Sequence, residues 1–172
     1  MICNNNSNEN NCYNKLLNKE SLIKYVDIYK KNNQKIIFVN GCFDVLHAGH
    51  IDLFNFAKSK GDILIVGLNS DISIKNLKGV NRPIIPQNER TFILQAILYI
   101  DHIIIFDEST AHHLIELVRP DVVVKGIDYS RKPLPEIDVI NKHNCKLYYF
   151  DSAFNTSTTD IIERVKTLLN CE

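Results

Sequence analysis

Residues 35–50 read KIIFVNGCFDVLHAGH. The β-branched run KIIFV (35–39) predicts a buried strand that opens through Asn40-Gly41, and a helix is expected from about Ala48 to Lys60, stopped by Gly61. The same alternation repeats outward. Strands are predicted at ILIVGL (63–68), HIIIF (102–106), DVVVK (121–125) and KLYYF (146–150). Helices are expected near 87–100, 110–118, 135–143 and 158–169. Upstream, Leu22, Ile23, Val26 and Tyr29 recur at helical spacing behind Asn18 or Ser21 as cap. Continuously apolar strands alternating with helices predict an α/β fold: a Rossmann-like, doubly wound, parallel five-stranded sheet with helices on both faces.

The chain of 172 residues suits one domain, expected over 19–172, with residues 1–18 as a disordered tail because eight of them are asparagine. Lys and Arg number 20 against 20 Asp and Glu, so no long-range field draws in nucleic acid. No apolar run approaches the roughly 18 residues of a membrane span, and the N-terminus lacks the apolar core of a signal peptide. A cytoplasmic protein is expected. Cys3, Cys12, Cys42, Cys145 and Cys171 form no CxxC pair and suit reduced thiols, with Cys42 as a small buried one.

The turn after the first strand carries neither GxGxxG nor GxxxxGK[ST]. It carries His47 and His50 around Ala48-Gly49 at the mouth of the next helix. Gly49 lets a ligand approach the backbone, and the helix start offers free N–H groups to an anion. Two imidazoles placed there can both donate to one phosphate; in isolation the same spacing would also serve a metal pair or packed histidines.

GCFDVLHAGH closely resembles the HxGH signature of the nucleotidyltransferase superfamily, which includes glycerol-phosphate and phosphoethanolamine cytidylyltransferases. NSD (69–71), LKGVNRP (77–83), Glu89-Arg90, RPDVVVKGIDY (119–129) and STTDIIERV (157–165) are together similar to one branch. That branch is the adenylyltransferase domain of bacterial ADP-heptose synthase. The resemblance implies transfer of AMP from ATP to a sugar 1-phosphate, D-glycero-β-D-manno-heptose 1-phosphate, with Mg²⁺ arriving on the triphosphate. It implies His47 and His50 as the catalytic pair, and homodimers are common among resembling proteins. In many bacteria the domain is fused to a sugar kinase, and the resemblance implies a sugar kinase, separate from this domain, as a partner that can supply the substrate.

Other residues carry two readings each. Lys75, Lys78, Arg82 and Arg90 form a basic segment opposed only by Glu89. It is either a solvated loop or, as the resemblance implies for Lys78, Arg82 and Arg90, a grip on substrate phosphates. Gly41, Cys42, Phe43, Asp44 and Gly49 are expected around the nucleotide, with Asp44 also suited to stabilising the turn and Phe43 and Leu46 also read as packing residues. Lys125, Gly126, Asp128 and Tyr129 are expected at the base or ribose; Ile127 stands where related enzymes commonly carry glycine, and Asp128 also suits a surface turn. Ser157, Thr158 and Thr159 serve as a helix cap or as phosphate ligands. Phe154-Asn155-Thr156 replaces the RTxG that precedes ST in cytidylyltransferases, which favours the heptose branch. His102, His112, His113 and His143 are expected to be structural, with no protein metal site. A cytidylyltransferase for glycerol 3-phosphate or phosphoethanolamine, and a non-catalytic nucleotide-binding module, are the competing functions.

Overall fold

A computed structural model describes residues 14–154 and 156–170. Its elements are α1 (Lys19–Lys31), β1 (Ile36–Gly41), α2 (Ala48–Lys58), β2 (Ile63–Asn69), α3 (Asp71–Lys78), α4 (Gln87–Gln95), β3 (His102–Phe106), α5 (His112–Val118), β4 (Val122–Gly126), α6 (Ile137–Lys142), β5 (Lys146–Phe150) and α7 (Thr158–Leu169), with a 3₁₀ turn at Ile127–Arg131. All five strands are parallel, in the order β3-β2-β1-β4-β5. Among the described residues no helix is long and apolar enough to cross a membrane.

Side chains alternate across a strand, so a sheet covered on both faces needs every position apolar. Ile36 and Phe38 of β1 join Ile65 and Val123 on one face, beneath Leu22 and Val26 of α1, Ile115 of α5 and Ile140 of α6. Ile37 and Val39 face the other way with Leu64, Val66 and Val124, against Phe54 of α2 and Leu94 of α4. Val39 pairs with Val66 on one side and Val124 on the other, which fixes β1 between β2 and β4. The chain leaves β1 towards β3 and returns across the sheet to β4. That reversal opens a crevice at the carboxyl ends of β1 and β4.

Three elements differ from the sequence expectation. The expected tail of residues 1–18 is too long at its C-terminal end. Leu17 N–H donates to the Ile103 carbonyl and Ile103 N–H to the Lys15 carbonyl, both at 2.8 Å, so this segment lies along the outer edge of β3. Such an edge offers unpaired backbone groups to any adjacent segment, whatever its composition. Asn18 then caps α1 by accepting from Ser21 N–H at 2.8 Å. Residues 1–13 lie outside the described residues. The basic segment begins with a helix, α3, capped by Ser70, whose hydroxyl accepts from Ser73 N–H at 3.1 Å. Helix α4 stops at Gln95 instead of continuing to Ile100.

Candidate active site

The crevice is a cleft of about 1040 Å³ whose wall includes His47, Gly49, His50, Lys78, Asp128 and Ser157. His47 is the N-cap of α2 in an extended conformation and no side chain caps the helix; His50 N–H donates to the His47 carbonyl at 2.9 Å, which leaves the N–H groups of Ala48 and Gly49 uncapped. The two imidazoles stack with centroids 3.8 Å apart and planes 31° apart. A methyl group on Gly49 would stand 3.1 Å from the His47 ring and 3.5 Å from the Thr156 carbonyl oxygen. Glycine is what allows ring and chain to close over the helix start. Beneath them Phe43, at φ 45°, turns its buried ring edge-on to His50 at 5.3 Å and against Phe54 at 5.0 Å. Phe43 supports His50, and its ring packs where the sequence also placed it, in the core.

Burial lowers the pKa of His47, an effect that Asp160 partly offsets. Burial, then His47 and Lys78, bring His50 down to about 4. Both rings are therefore neutral near pH 7 with the cleft open. The Nδ1 atoms of His47 and His50 and Nη2 of Arg82 are buried without a hydrogen-bond partner. Unpaired buried polar groups are costly and uncommon. Three of them lie at one turn and the loop clamped to it, and His102 Nδ1 is unpartnered as well.

The clamp is Asp44. It accepts from Arg82 Nε at 2.7 Å and from Ile84 and Ile85 N–H at 2.8 and 2.9 Å, and its side chain is buried. Burial alone would raise its pKa, but the two backbone hydrogen bonds and the guanidinium outweigh it and hold the carboxyl below its ordinary value. Asp44 therefore contributes position to the cleft, holding the 82–85 loop against the turn. Cys42 lies alongside; burial pushes its thiol up despite Lys78, Arg90 and Arg82, which makes it a poor nucleophile.

Two residues expected to meet ligand are engaged by the protein itself. Arg90 is fully buried: Nε donates to the Ile85 carbonyl at 2.9 Å, Nη1 to the Cys42 and Asn69 carbonyls at 2.6 and 2.8 Å, and Nη2 to Asp71 at 2.7 Å. Four of its five donors bind together the ends of β1 and β2, the 82–85 loop and the start of α3, and full burial keeps the group away from the cleft surface. Lys125 is also buried, with Nζ 2.8 Å from Asn40 Oδ1 and 3.1 Å from Glu136 Oε2, turned into the protein beneath the cleft. A long cationic side chain at a strand end can point either way, and the sequence does not show which.

Beyond β4 the chain enters the 3₁₀ turn at Ile127. Among the described residues a left-handed φ occurs only at Asn33, Phe43, Gly79, Arg119 and Asn144, so Ile127 is not strained where relatives carry glycine. At Gly126 a Cβ would fall 2.5 Å from Asp128 Oδ1, because that carboxylate folds back over it, and the Asp128 side chain would have to swing away. Tyr129 lies on the same wall, its hydroxyl pKa raised by burial and then by Asp128 and Glu136.

The far wall is the start of α7. Ser157 is engaged in a capping box, its hydroxyl 2.6 Å from Asp160 Oδ2 while Asp160 N–H donates back at 3.2 Å. Thr158 reaches the Val45 carbonyl at 3.4 Å and ties α7 to the histidine turn, and Thr159 lines the cleft. The capping role of this motif is realised, and its position at the cleft is realised with it. Sequence reasoning missed Asn40, Glu136 and Asp160. Asp160 was detectable as the last residue of an S-x-x-D box, the N3 position of the helix; Asn40 and Glu136 carry no motif.

The cytidylyltransferase-like family model matches residues 38–164, which span the histidine turn, every strand from β1 onward and the start of α7. The chain belongs to the cytidylyltransferase-like family. It is a nucleotidyltransferase domain. Among its relatives, the bifunctional protein HldE of Campylobacter jejuni serotype O:2 is 44% identical over 88% of this chain and 32% of its own length. The HldE of Helicobacter acinonychis is 45% identical over 87% of this chain and 32% of its own. The chain thus spans about a third of the length of these relatives. A lipopolysaccharide core biosynthesis protein from Thermoplasma volcanium shares the fold with a TM-score of 0.58 and 25% identity, over 72% of this chain and 99% of its own. A pantoate–β-alanine ligase from Francisella tularensis, complexed with an ATP analogue and β-alanine, has a TM-score of 0.57 at 18% identity, over 88% and 76% of the two chains, and supports the fold alone.

Proposed function

We propose that this cytidylyltransferase-like chain moves AMP from ATP onto a sugar 1-phosphate, D-glycero-β-D-manno-heptose 1-phosphate, giving ADP-heptose and pyrophosphate. One observation carries the chemistry: His47 and His50 stack at the start of α2, inside a cleft large enough for both substrates, with Nδ1 of each unpartnered. The sugar rests on the identity to HldE proteins and on the ordered motifs that resemble the heptose branch.

The reaction is an in-line displacement. An oxygen of the sugar phosphate attacks the α-phosphorus, the α–β bridging bond breaks, and its electrons leave on pyrophosphate. Two anions must approach, and negative charge must be held as the five-coordinate phosphorus forms. His47 and His50, with the N–H groups at the start of α2, donate to the α- and β-phosphate oxygens. Lys78, and Arg82 through Nη2, hold the acceptor phosphate and offset its charge. The start of α7 closes over the triphosphate. Mg²⁺ enters as part of the nucleotide substrate. Bound to the triphosphate, the ion would offset phosphate charge; Asp44, the carboxylate at the turn, is already occupied by Arg82 and two backbone N–H groups.

Incubation with ATP, Mg²⁺ and a panel of sugar 1-phosphates is expected to release pyrophosphate, fastest with the heptose. Absence of turnover with every heptose and hexose phosphate would contradict the proposal. The cytidylyltransferase reading retains one support, the family model itself. Nucleotide-induced thermal stabilisation decides between them: ATP is expected to raise the melting temperature more than CTP at equal concentration, and the reverse order would reassign the donor.

A further inference from the structure

The sheet register places Asn40 and Lys125 one step beyond the Val39–Val124 pair, on adjacent strands at the crevice. The Lys125 ammonium is buried and touches three separate segments. It donates to Asn40 Oδ1 at 2.8 Å, pairs with Glu136 Oε2 at 3.1 Å and lies 5.4 Å from the centre of the Tyr129 ring. The other oxygen of Glu136 accepts from Ala111 N–H at 3.1 Å, which fixes the turn carrying Ser109 and Thr110. Asn40, Tyr129, Glu136, Ser109 and Thr110 all border the cleft. One buried ion pair therefore joins wall segments from β1, from the β3–α5 connection, from the 3₁₀ turn and from the start of α6.

We propose that Lys125 and Glu136 are positioning residues for nucleotidyl transfer: their ion pair sets Asn40 and Tyr129, and with them the Gly41–Phe43 and Gly126–Asp128 segments, at the spacing the substrates require. The role in turnover rests on the transferase reading; the mechanical coupling of the segments does not. A buried ion pair is a weak source of net stability, because desolvating both charges consumes most of their attraction, and a neutral replacement of similar shape often folds equally well. What it provides is geometry: an ammonium has three donors, and here they converge on groups distant in sequence.

Lys125→Met combined with Glu136→Gln separates the two effects. The glutamine oxygen still accepts from Ala111, no charge is left buried alone, and Asn40 loses its donor. Melting is expected within a few degrees of wild type, with amide exchange in segments 40–43 and 126–129 roughly tenfold faster and exchange in β2 unchanged. In the pyrophosphate assay kcat is expected to fall at least about tenfold, while KM for ATP rises by less. Unchanged exchange in both segments would overturn the proposal, as would wild-type kcat in a folded double variant. A wild-type chain without turnover would defeat the transferase reading alone, and the exchange result would still judge the coupling. If the double variant does not fold, Asn40→Ala, which leaves the ion pair whole, takes its place: faster exchange at 41–43 supports the link, and unchanged exchange overturns it.

Discussion

His50→Ala is expected to lower turnover by on the order of a hundredfold or more while leaving the melting temperature close to that of wild type. The imidazole lies at the edge of the core with Nδ1 unpartnered, so its loss orphans no hydrogen-bond partner. Phe43 and Phe54 still pack on each other beneath it. What disappears is a donor aimed where charge develops on the phosphates, and such donors act mainly in the transition state. The loss should therefore fall on kcat more than on KM for ATP. A steady-state comparison of the variant with wild type, alongside thermal unfolding, checks this; equal losses in KM alone would make His50 a binding group only.

Arg90→Met is expected to do the opposite. Arg90 lies in the basic segment and has the look of a phosphate ligand, yet its guanidinium is fully buried and engaged by three carbonyls and Asp71. Methionine fills much of the volume but leaves the Ile85, Cys42 and Asn69 carbonyls without that donor and Asp71 without its cation. Breaking a buried charged network of this kind costs about 3–5 kcal/mol. Urea unfolding should show that loss directly. Because the Cys42 carbonyl belongs to the histidine turn, activity should fall as the folded fraction falls, and KM for the sugar phosphate in the folded fraction should stay within about twofold of wild type. A stable variant with a large rise in that KM would return Arg90 to the substrate.

The contrast shows what the chain discloses in one dimension. The sheet was legible because burial on two faces imposes a continuous apolar run at each strand, and Ile36–Val39 could hardly do anything else. The histidine turn was legible because its chemistry is contiguous: His47, Gly49 and His50 belong to one helix start. Helix α3 was obscured because the charges of Lys75 and Lys78 draw attention from Ile74, which is buried against β2. Arg90 and Lys125 turn inward where the sequence suggested a cleft, for a different reason. Composition records that a cation is present, but whether it faces a cleft or turns inward depends on partners distant in sequence: Asp71, 19 positions from Arg90, and Asn40, 85 positions from Lys125. Glu136 had no signal at all, being one acid at the edge of a short helix.

The most direct test is imidazole titration by ¹⁵N NMR, in the apo protein and with a non-hydrolysable ATP analogue. Without ligand, His50 should titrate near 4 and His47 below its ordinary value, since burial disfavours both charged forms. The triphosphate brings negative charge to both rings, so both values should rise together and binding should take up protons between the apo and bound values. Adenosine, which lacks the phosphates, should move neither. If the analogue binds while both histidines keep their apo titration, the paired rings do not hold the triphosphate, and His47 and His50 lose their place in the reaction.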